Sequence, residues 1–245
     1  MKKKKIFIAT VLALGATQAH ALPCVGGTLA FYIGLGAGGC QIGTNTVSNF
    51  TSLATIPAGA TAVAPANIVL SPVLSGPLAF GIDLGLNLPA TPNKFLDFLV
   101  SYRVSGNSYL NTSLLVNGVP PPDGVLSGIT DLCRNGTFPA GIGSCTTGPS
   151  GLRQLVAVQL PGDPLQTDLK SFLPASSLAV ITDVGIDTGS VGALNQVSVG
   201  NRFLVAPTAV PLPSVLALLI AGLGGMGMSR RHGPRGTNRR LALKF

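Results

Sequence analysis

The sequence contains no glutamate and no tryptophan, and it has no histidine between residues 22 and 209. Without histidine, this segment cannot assemble a Ser-His-Asp or a Cys-His nucleophilic site. Without glutamate, a pair of catalytic carboxylates would have to consist of aspartates alone. These absences predict that the protein is not an enzyme, and the sequence indicates no cofactor.

Charged residues are scarce between the two ends of the chain. The formal net charge is +8, but four lysines precede residue 6 and six basic residues follow residue 229. Between residues 22 and 209, eight aspartates outnumber six basic residues, which gives a net charge of −2. A protein that binds a nucleic-acid backbone needs several cations clustered on one face. The sequence therefore predicts no nucleic-acid partner.

The first 21 residues have the three parts of a secretory signal peptide. Lys2–Lys5 form a positive region, Ile6–Gly15 form an apolar region, and Ala19 and Ala21 give an A-x-A cleavage site. The apolar region is too short for a comfortable transmembrane helix. We therefore expect export by the Sec machinery and removal of residues 1–21 by signal peptidase, with an uncleaved anchor as the alternative.

The end of the chain combines three unlike elements in a fixed order. These are a short proline motif, an apolar run rich in glycine and a pair of arginines: Val210, Pro211, Leu212, Pro213 and Ser214, then Val215–Met228, then Arg230 and Arg231. The apolar run predicts a short transmembrane helix over residues 215–228. By the positive-inside rule, the arginines place the basic tail of residues 232–245 in the cytoplasm.

This order of elements resembles the PEP-CTERM sorting signal of Gram-negative bacteria over residues 210–231. In that family an exosortase, which is a membrane protease of the transpeptidase type, processes the signal. The resemblance implies a transient anchor in the inner membrane and then a place at the cell surface or in the extracellular matrix, in association with exopolysaccharide or biofilm. Leu212 stands where the family has glutamate, so an unprocessed tail anchor is the alternative to cleavage near residues 211–214.

The two ends of the mature chain extend this resemblance more loosely. The opening from Cys24 to Phe50 and the stretch from Asp183 to Phe203 are similar to those of many exported PEP-CTERM proteins. Those relatives are mostly β-rich surface proteins. The resemblance therefore implies a fold and not an activity.

Alternating apolar and polar residues predict β-strands in the exported segment. Glycine, proline, serine, threonine and valine are abundant, and this composition suits short strands joined by turns. The alternating segments are Phe80–Leu88, Phe98–Val104, Gln154–Leu160, Leu178–Asp187 and Gln196–Val205, with weaker ones near Ile68–Leu70 and Leu110–Val116. Residues 119–124 predict a proline-rich loop. We expect an all-β fold with a single β-sandwich domain over residues 22–209.

The four cysteines form two pairs of sequence neighbours. In an oxidising periplasm they would form disulfides, and four cysteines allow three pairings. Sequence proximity favours Cys24–Cys40 and Cys133–Cys145. A metal site is the alternative, but the exported segment has no C-x-x-C motif and no histidine.

The aspartates and one glycine-rich stretch are weak candidates for other sites. Asp163 and Asp168 could contribute to a calcium loop, but no dense acidic motif surrounds them, so we expect solvated loop residues. Asp183 and Asp187 would be about 13 Å apart on one strand, too far to hold one ion. Glycines at 34–39 lack the context of a phosphate-binding loop, and we expect a flexible loop.

Two functions remain in agreement with the sequence. The first is a non-enzymatic structural or adhesive protein of the cell surface or extracellular matrix. The alternative is a carbohydrate- or small-ligand-binding β-sandwich module on the same anchor. Sugar sites usually stack an aromatic ring under the sugar, and only Tyr32, Tyr102 and Tyr109 offer an amphipathic ring.

Overall fold

The computed structural model describes residues 21–53, 58–87, 91–139, 143–192 and 195–207. These residues form one largely antiparallel sheet of 11 strands, in which β4 (Thr61–Ala62) pairs in parallel with β7 (Phe95–Val119), and an isolated parallel bridge joins Pro23 to Gln41. The described part of the chain contains one short α-helix. The predicted all-β class is confirmed.

Most of the described secondary-structure elements are β-strands, and two short helices interrupt them. In chain order they are β1 (Gly27–Thr28), α1 (Leu29–Gly34), β2 (Cys40–Ile42), β3 (Asn45–Leu53), β4, a 3-10 helix (Pro65–Asn67), β5 (Ile68–Leu74), β6 (Ala79–Leu86), β7, β8 (Val125–Arg134), β9 (Leu152–Gln159), β10 (Gln166–Asp187) and β11 (Asn195–Val205). The hydrogen-bonded order is β1-β5-β6-β11-β7-β10-β8-β9, with β3 and β4 joined to β7 and β2 joined to β3.

Two long strands run through both halves of the sheet. The residues of β7 up to Ser105 pair with β3 and with the end of β10, whereas those from Tyr109 onward pair with β11 and with the beginning of β10. The register of β10 shifts between Ser171 and Ser177, opposite this change of partners. Register shifts of this kind bend a strand. The first half of the sheet therefore contains β2, β3, β8 and β9, and the second half contains β1, β5, β6 and β11.

Side chains of the two halves meet in one core. A Cβ atom added at Gly128 of β8 would lie 2.9 Å from Cγ1 of Val199 in β11, so the halves touch at this point. The ring centroids of Tyr102 and Phe203 lie 6.5 Å apart in the same core. Nearby, the buried side chain of Asn201 in β11 forms hydrogen bonds with two threonines of the other half. Its Oδ1 accepts from the Thr130 hydroxyl, and its Nδ2 donates to the Thr182 hydroxyl. These bonds satisfy polar groups that would be costly to bury alone.

Helix α1 closes the core beside β3 and β5, with which it is in contact. Thr28 caps the helix, because its Oγ1 accepts a hydrogen bond from the backbone N–H of Phe31. Leu29 and Tyr32 are buried, and the Tyr32 ring lies 4.8 Å from that of Phe50. A helix of six residues is not stable alone. Its stability therefore comes from this packing.

The strands run between two ends of the body. At one end, Val205 donates to the carbonyl of Leu78 and Ala206 donates to that of Ser108, and the body ends there at Ala206. We call this the exit end. The opposite end, or far end, carries the turns at residues 120–124, 160–165 and 188–192.

Candidate functional site

The first predicted disulfide joins Cys24 to Cys40, with Cα atoms 4.9 Å apart. It closes the loop that contains α1 and lies beside an apolar pocket of about 290 Å³. Gly39 precedes the bond with a φ of +58°, and a Cβ there would lie 2.1 Å from the carbonyl oxygen of Val47. Only glycine fits at this position. Gly39 thus permits the close approach of β2 to β3.

The second predicted disulfide joins Cys133 of β8 to Cys145, with Cα atoms 5.4 Å apart. It fastens a surface loop to the first half of the sheet. The Thr147 hydroxyl adds a hydrogen bond to the carbonyl of Arg134. Both predicted pairings are confirmed, and the described residues contain no free cysteine. Two such bonds are typical of proteins that fold in an oxidising compartment.

The three tyrosines considered for sugar stacking are buried. Tyr32, Tyr102 and Tyr109 have exposed fractions of 1%, 2% and 0%. The Tyr109 hydroxyl donates to Oδ1 of Asn45, and burial raises the pKa of Tyr109 to about 12. The Tyr32 hydroxyl donates to the carbonyl of Val25 at 2.6 Å. None of these rings can stack on a sugar. The sugar-binding alternative needed an accessible tyrosine ring, and these three tyrosines do not provide one.

The two aspartates considered for a calcium loop protect a strand edge instead. The backbone N–H of Val156 donates to Oδ2 of Asp168 at 3.0 Å, and that of Leu160 donates to Oδ2 of Asp163 at 3.1 Å. Burial tends to raise the pKa of Asp168, but the Val156 N–H and the nearby Lys170 outweigh it and leave the pKa lowered. Exposed strand edges invite pairing with other chains. The Asp168 carboxylate occupies a donor of β9 that such pairing would use, and the Asp163 carboxylate occupies the donor of Leu160 just after the strand ends.

The aspartates Asp183 and Asp187 both lie on β10, four residues apart. Asp187 ends β10 at the far end, where its Oδ1 accepts from the N–H of Gly189. Asp183 lies four residues back, within the sheet, and its neighbours are on other strands. Within the described residues, no three histidine, cysteine or acidic side chains are placed so that they could hold a metal ion.

A diagonal row of three aspartates crosses the first half of the sheet. Asp183 faces Leu99 and Ile129 on its two neighbouring strands, so Asp97 of β7 and Asp131 of β8 are its diagonal neighbours. Burial, and then the charge of Asp183, raise the pKa of Asp97 to about 6. Burial, and then the charge of Asp131, raise the pKa of Asp183. Sequence spacing could not reveal this row, because strand register alone brings the three residues together.

The far end holds a rigid turn. Both carboxylate oxygens of Asp123 accept from the N–H of Ser190, at 3.0 and 2.9 Å. The buried hydroxyl of Thr188 accepts from the N–H of Lys94, and its single hydrogen lies within reach of the carbonyl oxygens of Thr91 at 2.8 Å and Lys94 at 3.0 Å. An open cleft of about 470 Å³ lies beside this turn and is lined largely by prolines. The described residues that line this cleft include no charged side chain, so they provide no ionic contact that could orient a ligand.

The residues predicted for processing lie largely outside the described residues. Of the cleavage-site pair, Ala21 is described and is partly buried, whereas Ala19 is not described. The sorting motif at residues 210–214, the apolar run and the two arginines also lie outside. Among the described residues, no helix has the length and apolar character needed to cross a membrane.

Comparisons of the chain with protein-family models, with characterised proteins and with solved structures find no match. The function of the chain must therefore be inferred from its own sequence and from the geometry of its body.

Proposed function

We propose that this protein is a non-enzymatic component of the cell surface or extracellular matrix, sorted by a PEP-CTERM-like signal at its C-terminal end. The observation that carries the proposal is the order of proline motif, apolar run and arginine pair at residues 210–231. The two disulfides of the body support it, because such bonds persist in oxidising compartments.

The proposed route begins with export by the Sec machinery and cleavage by signal peptidase after Ala21. The apolar run at residues 215–228 then holds the protein in the inner membrane, with the basic tail in the cytoplasm. An exosortase-type protease cleaves the chain near residues 211–214 and releases the body to the surface, in contact with exopolysaccharide. Fourteen apolar residues span about 21 Å as a helix, less than the roughly 30 Å of hydrocarbon, which suits a temporary anchor.

The proposal includes a β-sandwich as the architecture of the exported body, with residues 22–209 as one domain. Its support is the bend shared by β7 and β10 and the contact of Gly128 with Val199 across the core. The two faces of such a sandwich need not be two separate sheets. Here the continuous strands β7 and β10 would connect them.

Mass spectrometry of the protein recovered from the cell surface tests the sorting proposal. We expect a C-terminus between Pro211 and Ser214, because the body would be released by cleavage in that motif. Recovery of surface protein that still ends at Phe245 would contradict the proposal. The Leu212→Glu variant restores the residue of the family, so it should increase the processed fraction. Leu212→Gln is its matched control, since it removes the apolar side chain without adding a charge.

A further inference from the structure

The charged side chains of the body are sorted along the strands. At the far end lie four aspartates and one lysine: Asp97, Asp123, Asp163, Asp187 and Lys94. Near the exit end lie three arginines, since Arg134 pairs with Leu178 and Arg103 with Ala179, just after the register shift of β10, and Arg153 pairs with Leu132. Asp131 lies one residue pair further in than Arg153. The body thus has a negative far end and a positive exit end.

Within the described residues, none of these three arginines forms an ion pair. Arg134 and Arg153 both donate to the carbonyl of Ser150, and Arg134 also donates to that of Leu173 at 3.3 Å. Arg103 donates to the hydroxyl of Ser177 at 3.0 Å. Within the described residues, the ion pairs of the body involve only Lys170 with Asp168 and Arg202 with Asp83. The positive charge of the exit end is therefore uncompensated.

Three leucines at the exit end lie on the surface, and one of them lies next to an arginine. Leu173, Leu74 and Leu78 have exposed fractions of 74%, 62% and 40%. Leu173 lies next to Arg134 through the hydrogen bond just described, and Leu78 bonds β11 beside the last residues of the body. Exposed apolar side chains among unpaired cations are the composition that binds an anionic lipid surface. Arginine also lets its apolar stem lie in the interface while its charge reaches phosphate.

The position where the body ends limits its distance from the apolar run. Ala206 is at the exit end, and Val215 follows nine residues later in the sequence. Nine residues span at most about 30 Å when extended. If the run is in the bilayer, as the proposed function requires, the exit end is held within that distance of lipid.

We propose that the exit end docks on the anionic phospholipid surface of the membrane, through Arg134, Arg153 and the exposed leucines. This inference rests on the proposed function for its tether. The negative far end then points away from the bilayer, because anionic lipid repels its aspartates. Docking orients the body while the chain is anchored.

Single tryptophans test the docking, because the sequence has none of its own. The chain from Leu22 to Phe245 is reconstituted with Leu173→Trp at the exit end or Val191→Trp at the far end as the probe. Both positions are exposed. The vesicles contain lipids brominated on the acyl chains and are either neutral phosphatidylcholine or a mixture with phosphatidylglycerol. We expect loss of fluorescence from the exit-end probe in the anionic vesicles and none from the far-end probe.

Flotation of the same vesicles separates this inference from the proposed anchor. If the chain floats with both vesicle types and the exit-end probe is quenched only on anionic lipid, docking and anchor both hold. If it floats with both types but neither probe is quenched, or both are quenched alike, docking is wrong and the anchor stands. Flotation with anionic vesicles alone, with the exit-end probe quenched, supports docking and removes the anchor. Flotation with neither type overturns both.

A charge variant checks the role of the arginines. Arg153→Gln should lower the ratio of docked to undocked molecules about fivefold, since each basic side chain near an anionic surface contributes on this scale. Lys94→Gln at the far end is the matched control and should leave the quenching unchanged. If Arg153→Gln leaves the quenching of the exit-end probe unchanged, Arg153 does not contact lipid.

Discussion

The two disulfides of the body hold segments of different kinds. In the helix segment, residues 24–40, the bond closes a loop around α1, whose Leu29 and Tyr32 are part of the buried core. In the loop segment, residues 133–145, the bond ties a surface loop to the side of β8. The sequence separations are similar, at 16 and 12 residues. The comparison therefore separates what a disulfide does to the unfolded chain from what it does to the native structure.

The two segments also differ in their electrostatic surroundings. Residues 22–82 contain no charged side chain, so all 14 charged residues of the body follow Ile82. The helix segment is stabilised by apolar packing and backbone hydrogen bonds. The loop segment adjoins the row of aspartates, and the N–H of Gly143 in its loop donates to Oδ2 of Asp131. Changes of pH should therefore act on the body through the part that contains the loop segment.

Removal of each disulfide in turn should have the largest effect. Loss of either bond costs about 3 kcal/mol by the gain in chain entropy of the unfolded state, and the two loop lengths differ by only about 0.3 kcal/mol in this respect. The surface loop can relax in the native state and recover part of that loss, whereas α1 cannot relax without exposing core residues. We expect Cys24→Ala with Cys40→Ala to lower the free energy of unfolding more than Cys133→Ala with Cys145→Ala.

Urea unfolding of the two double variants measures this difference directly. The slope of unfolding free energy against urea serves as the control, because a changed slope would indicate a different unfolded state. Losses that agree to within the small difference in loop length would show that both bonds act on the unfolded chain alone. A larger loss in the loop segment would contradict the role given to α1.

Replacement of the buried carboxylate at Asp97 should have the next largest effect. Asp97 has an exposed fraction of 3%, and burial together with Asp183 raises its pKa to about 6. The folded protein thus binds this proton more tightly than the unfolded chain, so stability falls as the pH rises from about 4 to about 6. Asp97→Asn should raise the unfolding free energy at pH 7, by an amount on the order of 1.4 kcal/mol for each unit of pKa shift, and leave it unchanged below pH 4.

Thermal unfolding from pH 4 to pH 7 checks the sign of this effect. Asp123→Asn is the matched control, because hydrogen bonds from Ser190 lower the pKa of Asp123. Its carboxylate favours folding once ionised, so its replacement should change stability in the opposite direction. A gain of stability for Asp97→Asn that is the same at pH 4 and pH 7 would exclude ionisation as the cause.

Uncovering the edge of β9 should change stability least. Asp163→Ala with Asp168→Ala removes the acceptors of the Leu160 and Val156 N–H groups, both of which are near solvent, so we expect a change within about 0.5 kcal/mol. Self-association should increase instead, because the freed edge can pair with another chain. Light scattering against protein concentration measures this, with exposed Thr167→Ala as the control. Unchanged scattering would show that the edge is protected by other means.

Alternation in the sequence predicted strands with a solvent-exposed face, and it also predicted Leu178–Asp187 of β10, which is buried on both faces, but it did not predict β8. The alternation in Phe80–Leu88 and Gln154–Leu160 matches β6 and β9 closely. Strand β8 has buried residues on both faces near its end, where Asp131, Leu132 and Cys133 are all buried, so its sequence does not alternate cleanly. Alternation reports exposure to water. In β8 it is lost near the end of the strand, where both faces are buried.

Helix α1 and the aspartate row also required the tertiary structure. The helix contains aromatic and β-branched residues and is too short to form alone, so its sequence gave no helix signal. The aspartates at 97, 131 and 183 are far apart in sequence, and register alone makes them neighbours. The tyrosines appeared free for a ligand, because amphipathic side chains occur both at sites and in cores. Packing decided that they are core residues.

The sequence by itself determined the all-β class, the two disulfide pairings and most strands with a solvent face. These follow from local properties, namely alternation, turn residues and the short loops that each disulfide closes. Tertiary structure decided the change of strand partners along β7 and β10, the helix that closes the core, the burial of the tyrosines and the positions of the charged residues along the strands. Each of these depends on which distant residues are paired across the sheet, and strand register is set by the packing of the whole core.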